Sequence, residues 1–331
     1  MRTIHQPYLL FLGDAPDKLA GKTALGIAHW NPGAVLGQLR LPGCALDVGV
    51  PDRTIAEAAA LGVKTLVIGV VNRGGVMPPL WLETFKAALE HGMDIANGLH
   101  TRLTSFPELV QLAAKYGRQL HDVRHFDGAL PIGTGEKRSG KRLLTVGTDC
   151  SIGKKFTALV IADALQKAGR KATFRATGQT GILISGSGIA VDAVVADFIA
   201  GAVEMLSPAN EADHWDIIEG QGSLLHPSFA GVTMGLVHGA QPDALVLCVD
   251  ESRTHMRGVK HPVPSMETAI EQHLTAARLT NPAVRLVGIN AITEHLDEAT
   301  ARRHIADLAA RSGVPATDSV RFGVADILKE L

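Results

Sequence analysis

The chain has 331 residues, 46% of them hydrophobic and 20% charged, with 32 Lys plus Arg against 33 Asp plus Glu and a net charge of −1. These are the proportions of a soluble globular protein. The even balance excludes a basic nucleic-acid surface and a charged tail, which leaves small molecules as the expected partners.

At about 150 residues per domain, the length predicts two domains. Cys44, Cys150 and Cys248 are scattered and odd in number, which fits a reducing compartment and places the protein in the cytoplasm. The run "YLLFLG", Tyr8 to Gly13, is too short to span a bilayer and reads as a buried first strand. "AHWNPGAV" (Ala28 to Val35) reads as a turn in which Trp30 packs. "IAEAAALG" (Ile55 to Gly62) is helical, "TLVIGVV" (Thr65 to Val71) is a buried strand, and "WLETFKAALEHG" (Trp81 to Gly92) and "FPELVQLAAKYG" (Phe106 to Gly117) have helical spacing with glycine stops. Strands alternating with helices predict a parallel sheet covered by helices.

"GALPIGTGEKRSGKR" (Gly128 to Arg142) has no periodicity and reads as a linker. The expected division is therefore residues 1–130, a linker at 131–141, and residues 142–331. Alternation then restarts. Strands are predicted at Leu143–Val146, Lys171–Arg175, Trp215–Ile218, Ala244–Val249 and Val284–Ile289. Helices are predicted at Lys154–Lys167, Val191–Leu206, Ser265–Leu279 and Glu298–Gly313.

"LLTVGTDCSIGKKF" joins a strand to a long helix through a glycine-bounded turn ending in Gly153 and Lys154. This approximates the phosphate-binding pattern G-x-x-x-x-G-K-[ST], in which backbone N–H groups and a lysine hold phosphates at a helix N-terminus. The candidate phosphate residues are Thr148, Asp149, Cys150, Ser151, Ile152, Gly153, Lys154 and Lys155. One position departs from the pattern: Lys155 stands where a nucleotide hydrolase places its magnesium-binding hydroxyl. Thr157 cannot replace it, being about 200° around the helix from that position. Two unit charges at roughly 4 Å and an effective dielectric near 20 interact by about 4 kcal/mol, and a divalent ion doubles that. A second lysine therefore disfavours Mg–ATP and favours a diphosphate that arrives without metal, such as that of coenzyme A. No metal site is expected.

Other candidates lie beyond predicted strand ends, where open α/β sheets bind ligands. Arg175 and Gln179 in "RATGQTG" suit carboxylate or carbonyl binding, and Arg253 in "DESRTHMRG" suits anions. Asn72 and Arg73 before two glycines suit a carboxylate clamp. In "EGQGSLLHP", Glu219 would hold a metal through water in a nucleotide enzyme. Without metal it is free to accept a proton, and His226 is a second candidate base. The histidines lack metal-ligand spacing, and no G-x-S-x-G, H-E-x-x-H or paired-cysteine motif occurs.

"GTDCSIGKK" resembles the loop of dethiobiotin synthetase, sharing Gly147, Thr148 and Asp149 and departing at Lys155. Together with "GQTG" and "EGQGSLLHP" it resembles a bacterial two-domain family whose characterised members are D-glutamate N-acetyltransferases of the DgcN type. The resemblance implies an α/β fold with an N-terminal Rossmann-like parallel-sheet domain and a C-terminal P-loop NTPase-like α/β domain. It also implies acetyl-CoA as donor, the amino group of D-glutamate as acceptor, and a homo-oligomer. On that reading residues 148–155 hold the coenzyme phosphates, Glu219 or His226 is the base, and Arg73, Arg175 or Arg253 clamps the substrate carboxylates. The alternatives are a Mg–ATP-dependent synthetase, which Lys155 disfavours, and a non-catalytic nucleotide-binding regulator.

Overall fold

In a computed structural model, residues 3–18, 20–70, 77–126 and 128–331 are described. The chain forms two compact units, Met1–Asp127 with Gly178–Ala193, and Gly128–Thr177 with Val194–Leu331.

The first unit runs β1 (Tyr8–Gly13), α1 (Lys22–Trp30), β2 (Val35–Arg40), α2 (Ile55–Ala60), β3 (Thr65–Ile68), α3 (Leu82–Glu90), β4 (Asp94–Asn97), α4 (Pro107–Tyr116) and β5 (Leu120–Asp122). Its strands pair in the order β2-β1-β3-β4-β5, all parallel. Every residue of β1 is buried, as expected of a parallel strand covered on both faces. Phe11 on β1 meets Trp81 and Phe85 edge-on, with ring centroids 5.3 and 5.1 Å away. Helix α2 opens on a reciprocal cap, in which Thr54 Oγ1 accepts from Glu57 N and the Glu57 carboxylate accepts from Thr54 N.

The second unit begins with β6 (Lys141–Gly147), α5 (Lys154–Lys167) and β7 (Ala172–Arg175). The chain then contributes α6 (Gln179–Ser185) to the first unit. There Thr180 Oγ1 lies 3.3 Å from Thr23 Oγ1, and Asn31 donates to Ile184 O at 2.9 Å. The second unit resumes with α7 (Ile199–Leu206), β8 (Trp215–Ile218), α8 (Ala230–Ala240), β9 (Ala244–Val249), α9 (Met266–Arg278), β10 (Arg285–Ala291), α10 (Glu298–Ser312), β11 (Ala316–Thr317), α11 (Ser319–Phe322) and α12 (Ala325–Lys329). The strand order β11-β10-β9-β6-β8-β7 is parallel throughout. Leu143, Ile161, Leu165, Ile217 and Val246 form the core between α5 and this sheet, each burial contributing roughly 1.5–3 kcal/mol.

Three sequence expectations differ from the structure. The segment 178–193 packs with the first unit, so a single boundary near residue 130 does not describe the chain. The expected linker is anchored to the second unit. Arg138 donates to Ser207 O and Gly239 O at 2.8 Å each, and Glu204 accepts from Thr134 N at 3.0 Å. Arg142 is almost fully buried in β6, where its guanidinium reaches Ser207 Oγ and the carbonyls of Arg138, Ser139 and Pro208. A planar fork of five donors can be satisfied by such converging carbonyls, so a basic stretch can be an anchor. Lastly, the helix expected over Val191–Leu206 is two 3₁₀ turns followed by α7. Among the described residues no helix is long and apolar enough to cross a membrane.

Candidate functional site

Strand β6 is the pivot of the second sheet. Its neighbours are β9 on one side and β8 on the other, and the strand order reverses there. At such a switch point the loops beyond the carboxyl ends splay apart and leave a crevice. The sequence after β6 fills it with the turn Thr148–Gly153 and then α5.

The turn is shaped by two residues with positive φ, Ser151 at 53° and Gly153 at 91°. Gly153 sits at the N-cap of α5, where the left-handed backbone costs a glycine little. No side chain caps α5, and its first turn carries no acidic residue. The first N–H groups of a helix have no intrahelical acceptor, and the helix dipole makes this end positive. α2, α9 and α10, by contrast, begin under the side chains of Thr54, Ser265 and Asp297.

Lys154 is buried, and its Nζ arches back to donate to Asp149 O at 2.7 Å. Burial pushes its pKa below the ordinary lysine value, while Cys248, Cys150 and Asp149 pull the other way. The stem passes Gly220 at the end of β8. A Cβ on Gly220 would lie 1.7 Å from Thr145 O and 3.0 Å from Lys154 Cδ, so only glycine lets β8 end this close to the loop. Lys155 is half-buried, with its ammonium 4.5 Å from the centre of the Phe156 ring.

Asp149 is fully buried and organises the turn. Its Oδ1 accepts from Cys150 N at 2.6 Å, and its Oδ2 accepts from Arg253 Nη1 and Arg257 N, each at 2.9 Å. Arg253 further donates to Cys150 O at 2.9 Å, Ser151 O at 2.7 Å and Asp250 Oδ2 at 2.8 Å. Arg257 Nη1 donates to Ser151 Oγ. Arg253 is thus committed to fastening the loop, where the sequence suggested a substrate clamp. The peptide donors are also fewer than the sequence suggested. Thr148 N donates to Cys248 O at 3.2 Å and Cys150 N is held by Asp149.

The two expected bases occupy different settings. His226 is 1% exposed; Ser228 N donates to its Nδ1 at 3.1 Å, and its Nε2 faces Arg257 O at 3.1 Å. An Nδ1 that accepts and an Nε2 that meets a carbonyl define a neutral ring with its proton on Nε2. Both nitrogens are engaged, so the ring braces the loop and has no lone pair open for a proton. Glu219, at the end of β8, is buried; its Oε2 accepts from Thr177 N at 3.0 Å and its carbonyl from Thr177 Oγ1 at 2.6 Å.

The other candidates separate. Arg175 donates through Nε to the buried Asp216 at 2.9 Å, a pairing within the sheet. Gln179 opens α6 in the first unit, where its side chain lies against Gly98. Asn72 and Arg73 lie outside the described residues. Among the described residues one group of possible metal donors is assembled, Asp149, Cys150 and His226, with ligand atoms within 4.8 Å of one another. The Asp149 oxygens and both His226 nitrogens in that group are already hydrogen-bonded to protein. Sequence reasoning missed a cavity of about 330 Å³ beside the loop, lined among others by Thr148, Asp250, Glu251, Arg253 and Ser265. Nothing in the periodicity of β9 or α9 marks it.

Comparison with known proteins agrees with this fold. Residues 131–328 match the P-loop domain of the DUF1611 family, and residues 40–126 match its Rossmann-like N-terminal domain; both are described as domains of unknown function. A D-glutamate N-acetyltransferase of Tritonibacter scottomollicae is 52% identical over 329 residues, covering 99% of each chain. One from a Pseudoalteromonas species is 51% identical over the same span and coverage. The crystal structure of a DUF1611 family protein from Anabaena variabilis superposes with a TM-score of 0.84 at 34% identity, covering 98% of this chain and 99% of that one.

Proposed function

The chain belongs to the two-domain DUF1611 family, Rossmann-like at its N-terminus and P-loop at its C-terminus, and from that premise we propose that it is a D-glutamate N-acetyltransferase using acetyl-CoA. The full-length relatives that carry this activity in their names support the reaction. The observation that carries the choice of donor is the N-terminus of α5. It has no side-chain cap and no acid, and it bears Lys154 and Lys155 in succession. A coenzyme diphosphate would take the place of Asp149 O as partner of the Lys154 ammonium, with Lys155 adding a second charge where a metal-dependent enzyme needs a hydroxyl.

The acetyl transfer needs a free amine, because an amino acid is mostly ammonium at neutral pH. The amine nitrogen attacks the thioester carbonyl carbon, the C–S bond breaks, and coenzyme A leaves as its thiolate. The ammonium loses its first proton to solvent before attack, and the proton shed by the nitrogen after attack passes to a base. Glu219 is our candidate, since His226 has both nitrogens engaged. Backbone N–H groups of the other glycine-rich loops, not those that hold the diphosphate, would oppose the charge that develops on the carbonyl oxygen. We place the enzyme in the cytoplasm as a homo-oligomer, following the scattered cysteines and the family resemblance.

The test is thiol release from acetyl-CoA in EDTA with a panel of D- and L-amino acids. Release that depends on D-glutamate supports the proposal. Hydrolysis of Mg–ATP without acetyl transfer, or coenzyme binding without turnover, would overturn it.

A further inference from the structure

The catalytic reading leaves one built feature unused, the cavity at the carboxyl end of β9. Its volume of about 330 Å³ lies at the small end of ligand pockets, roughly 300–1,000 Å³. That is room for an amino acid and too little for a coenzyme thioester.

Two independent observations point to a ligand. Thr148 lines the cavity and is 2% exposed, yet its Oγ1 has no hydrogen-bond partner. Its own N–H is spent on Cys248 O, so the hydroxyl is its remaining hydrogen-bond donor. A buried hydroxyl left unpaired is unfavourable until something pairs with it. The second observation is α9, which opens on the cavity at Ser265 and Met266. Ser265 Oγ accepts from Thr268 N at 3.1 Å, and the Glu267 carboxylate in the same turn is held by its own backbone N–H as well as by Arg311 at 2.9 Å. The N-terminus of a 13-residue helix, capped by Ser265 and carrying Glu267 in its first turn, therefore borders the space.

The remaining walls carry both signs, the acids Asp250 and Glu251 together with the guanidinium of Arg253. Asp250 is 7% exposed and lines the cavity. Its carboxylate accepts from Ser252 N, Ser252 Oγ and Arg253 Nε, at 3.2, 2.5 and 2.8 Å. That leaves about one of its roughly four lone-pair sites. Glu251 stands next to it and pairs with Arg311 at 3.1 Å. One small space thus presents carboxylates, a lone hydroxyl and a helix N-terminus. Those are the complements of an ammonium and a carboxylate on the same molecule.

We infer that this cavity seats the acceptor amino acid, with its ammonium against Asp250 and Glu251 and a carboxylate at Thr148 Oγ1 and the N-terminus of α9. The inference rests on the acetyltransferase reading and adds to it a place for the second substrate.

The experiment is steady-state kinetics on Thr148→Val, nearly the same shape without the hydroxyl, and on Val263→Phe, which fills the cavity from its wall. Crystals of the wild type grown with D-glutamate and coenzyme A complete it. Thr148→Val is expected to raise the KM for D-glutamate about tenfold, one lost hydrogen bond to a charged group, and the KM for acetyl-CoA by less, since Thr148 also opens the phosphate loop. Val263→Phe should abolish saturation by D-glutamate while coenzyme still binds. If both variants shift the acetyl-CoA KM instead, or amino-acid density lies outside this cavity, the assignment is wrong. The crystals decide the point should either variant fail to fold. If the wild type releases no thiol with D-glutamate, the acetyltransferase reading fails and takes this assignment with it. Thiol release by the wild type with unaffected variants overturns the cavity alone.

Discussion

Arg253 Nη1 donates to Asp149 Oδ2 at 2.9 Å, while the same guanidinium bonds the carbonyls of Cys150 and Ser151 at 2.9 and 2.7 Å. One side chain from beyond β9 thereby holds both the buried acid and the backbone of the phosphate loop. Replacing it with alanine leaves the Asp149 charge buried with only peptide donors. Arg253→Ala should destabilise the protein by roughly 2 kcal/mol, the partly exposed guanidinium reducing the figure for a fully buried pair. It should also weaken coenzyme A binding. Arg253→Lys keeps the charge but loses the planar fork, so it should recover only part of either. Urea denaturation and calorimetric titration with coenzyme A check both. A variant equal to wild type in both would remove Arg253 from this role.

Lys155 should matter to the donor alone. Lys155→Ala is expected to raise the KM for acetyl-CoA about tenfold, the loss of one charge-assisted contact, with kcat little changed. EDTA should leave the wild-type rate as it was. A rate that collapses in EDTA and returns with magnesium would mean that the second lysine does not replace a metal.

The elements that were legible in the sequence are those whose own residues decide them. The strands at Tyr8–Gly13 and Ala244–Val249 are unbroken apolar runs and, like Trp215–Ile218, occur with the expected limits. Helix α5 starts at Lys154 and ends at Lys167 as expected, and α4 stops at Gly117, which adopts φ 63°. Elements whose reasons lie elsewhere in the chain were not legible. The glycines of "AGVTMGLVHGA" lower helix propensity and conceal α8, whose Gly235 and Gly239 let it lie against Ile199 and Ala200. "GQTG" reads as a loop, yet it opens α6, which is stabilised by contacts more than 150 residues away in sequence.

The same division applies to the site. The loop was legible because a glycine, a lysine and a helix start sit side by side. The roles of Arg175 and Arg253 were not, because an arginine after a strand looks alike whether it meets a substrate or an aspartate of its own chain. Asp216 and Asp149 lie 41 and 104 residues from them.

Glu219 and His226 are separable by pH. If Glu219 takes the proton, Glu219→Gln should lower kcat/KM by about 10²–10⁴ and remove the acidic limb of its pH profile. The amide keeps an oxygen that can accept from Thr177 N, so folding should survive. His226→Gln should cost stability, because Ser228 N and Arg257 O lose their partner, yet leave the acidic limb where it was. A limb that moves with His226 and not with Glu219 would reverse the assignment.

His273 sets an acid limit on the fold. It is buried in α9, with Nδ1 2.7 Å from Ala269 O and Nε2 without a partner. Burial lowers its pKa to about 4, with the Lys154 charge adding a smaller push in the same direction and the Ala269 hydrogen bond opposing both. Between the unfolded value of about 6.5 and the folded one, the unfolded chain binds more protons. Stability is therefore full above pH 6.5 and falls as the solution is acidified through that window, by roughly 3 kcal/mol in all. Below pH 4 this contribution is gone and the dependence flattens. His273→Leu is apolar and close in size, so it should be less sensitive to acid over the same interval. Urea midpoints at pH 7, 5.5 and 4.5 for both proteins measure the difference. If the two lose stability in parallel, the imidazole is not the group that titrates.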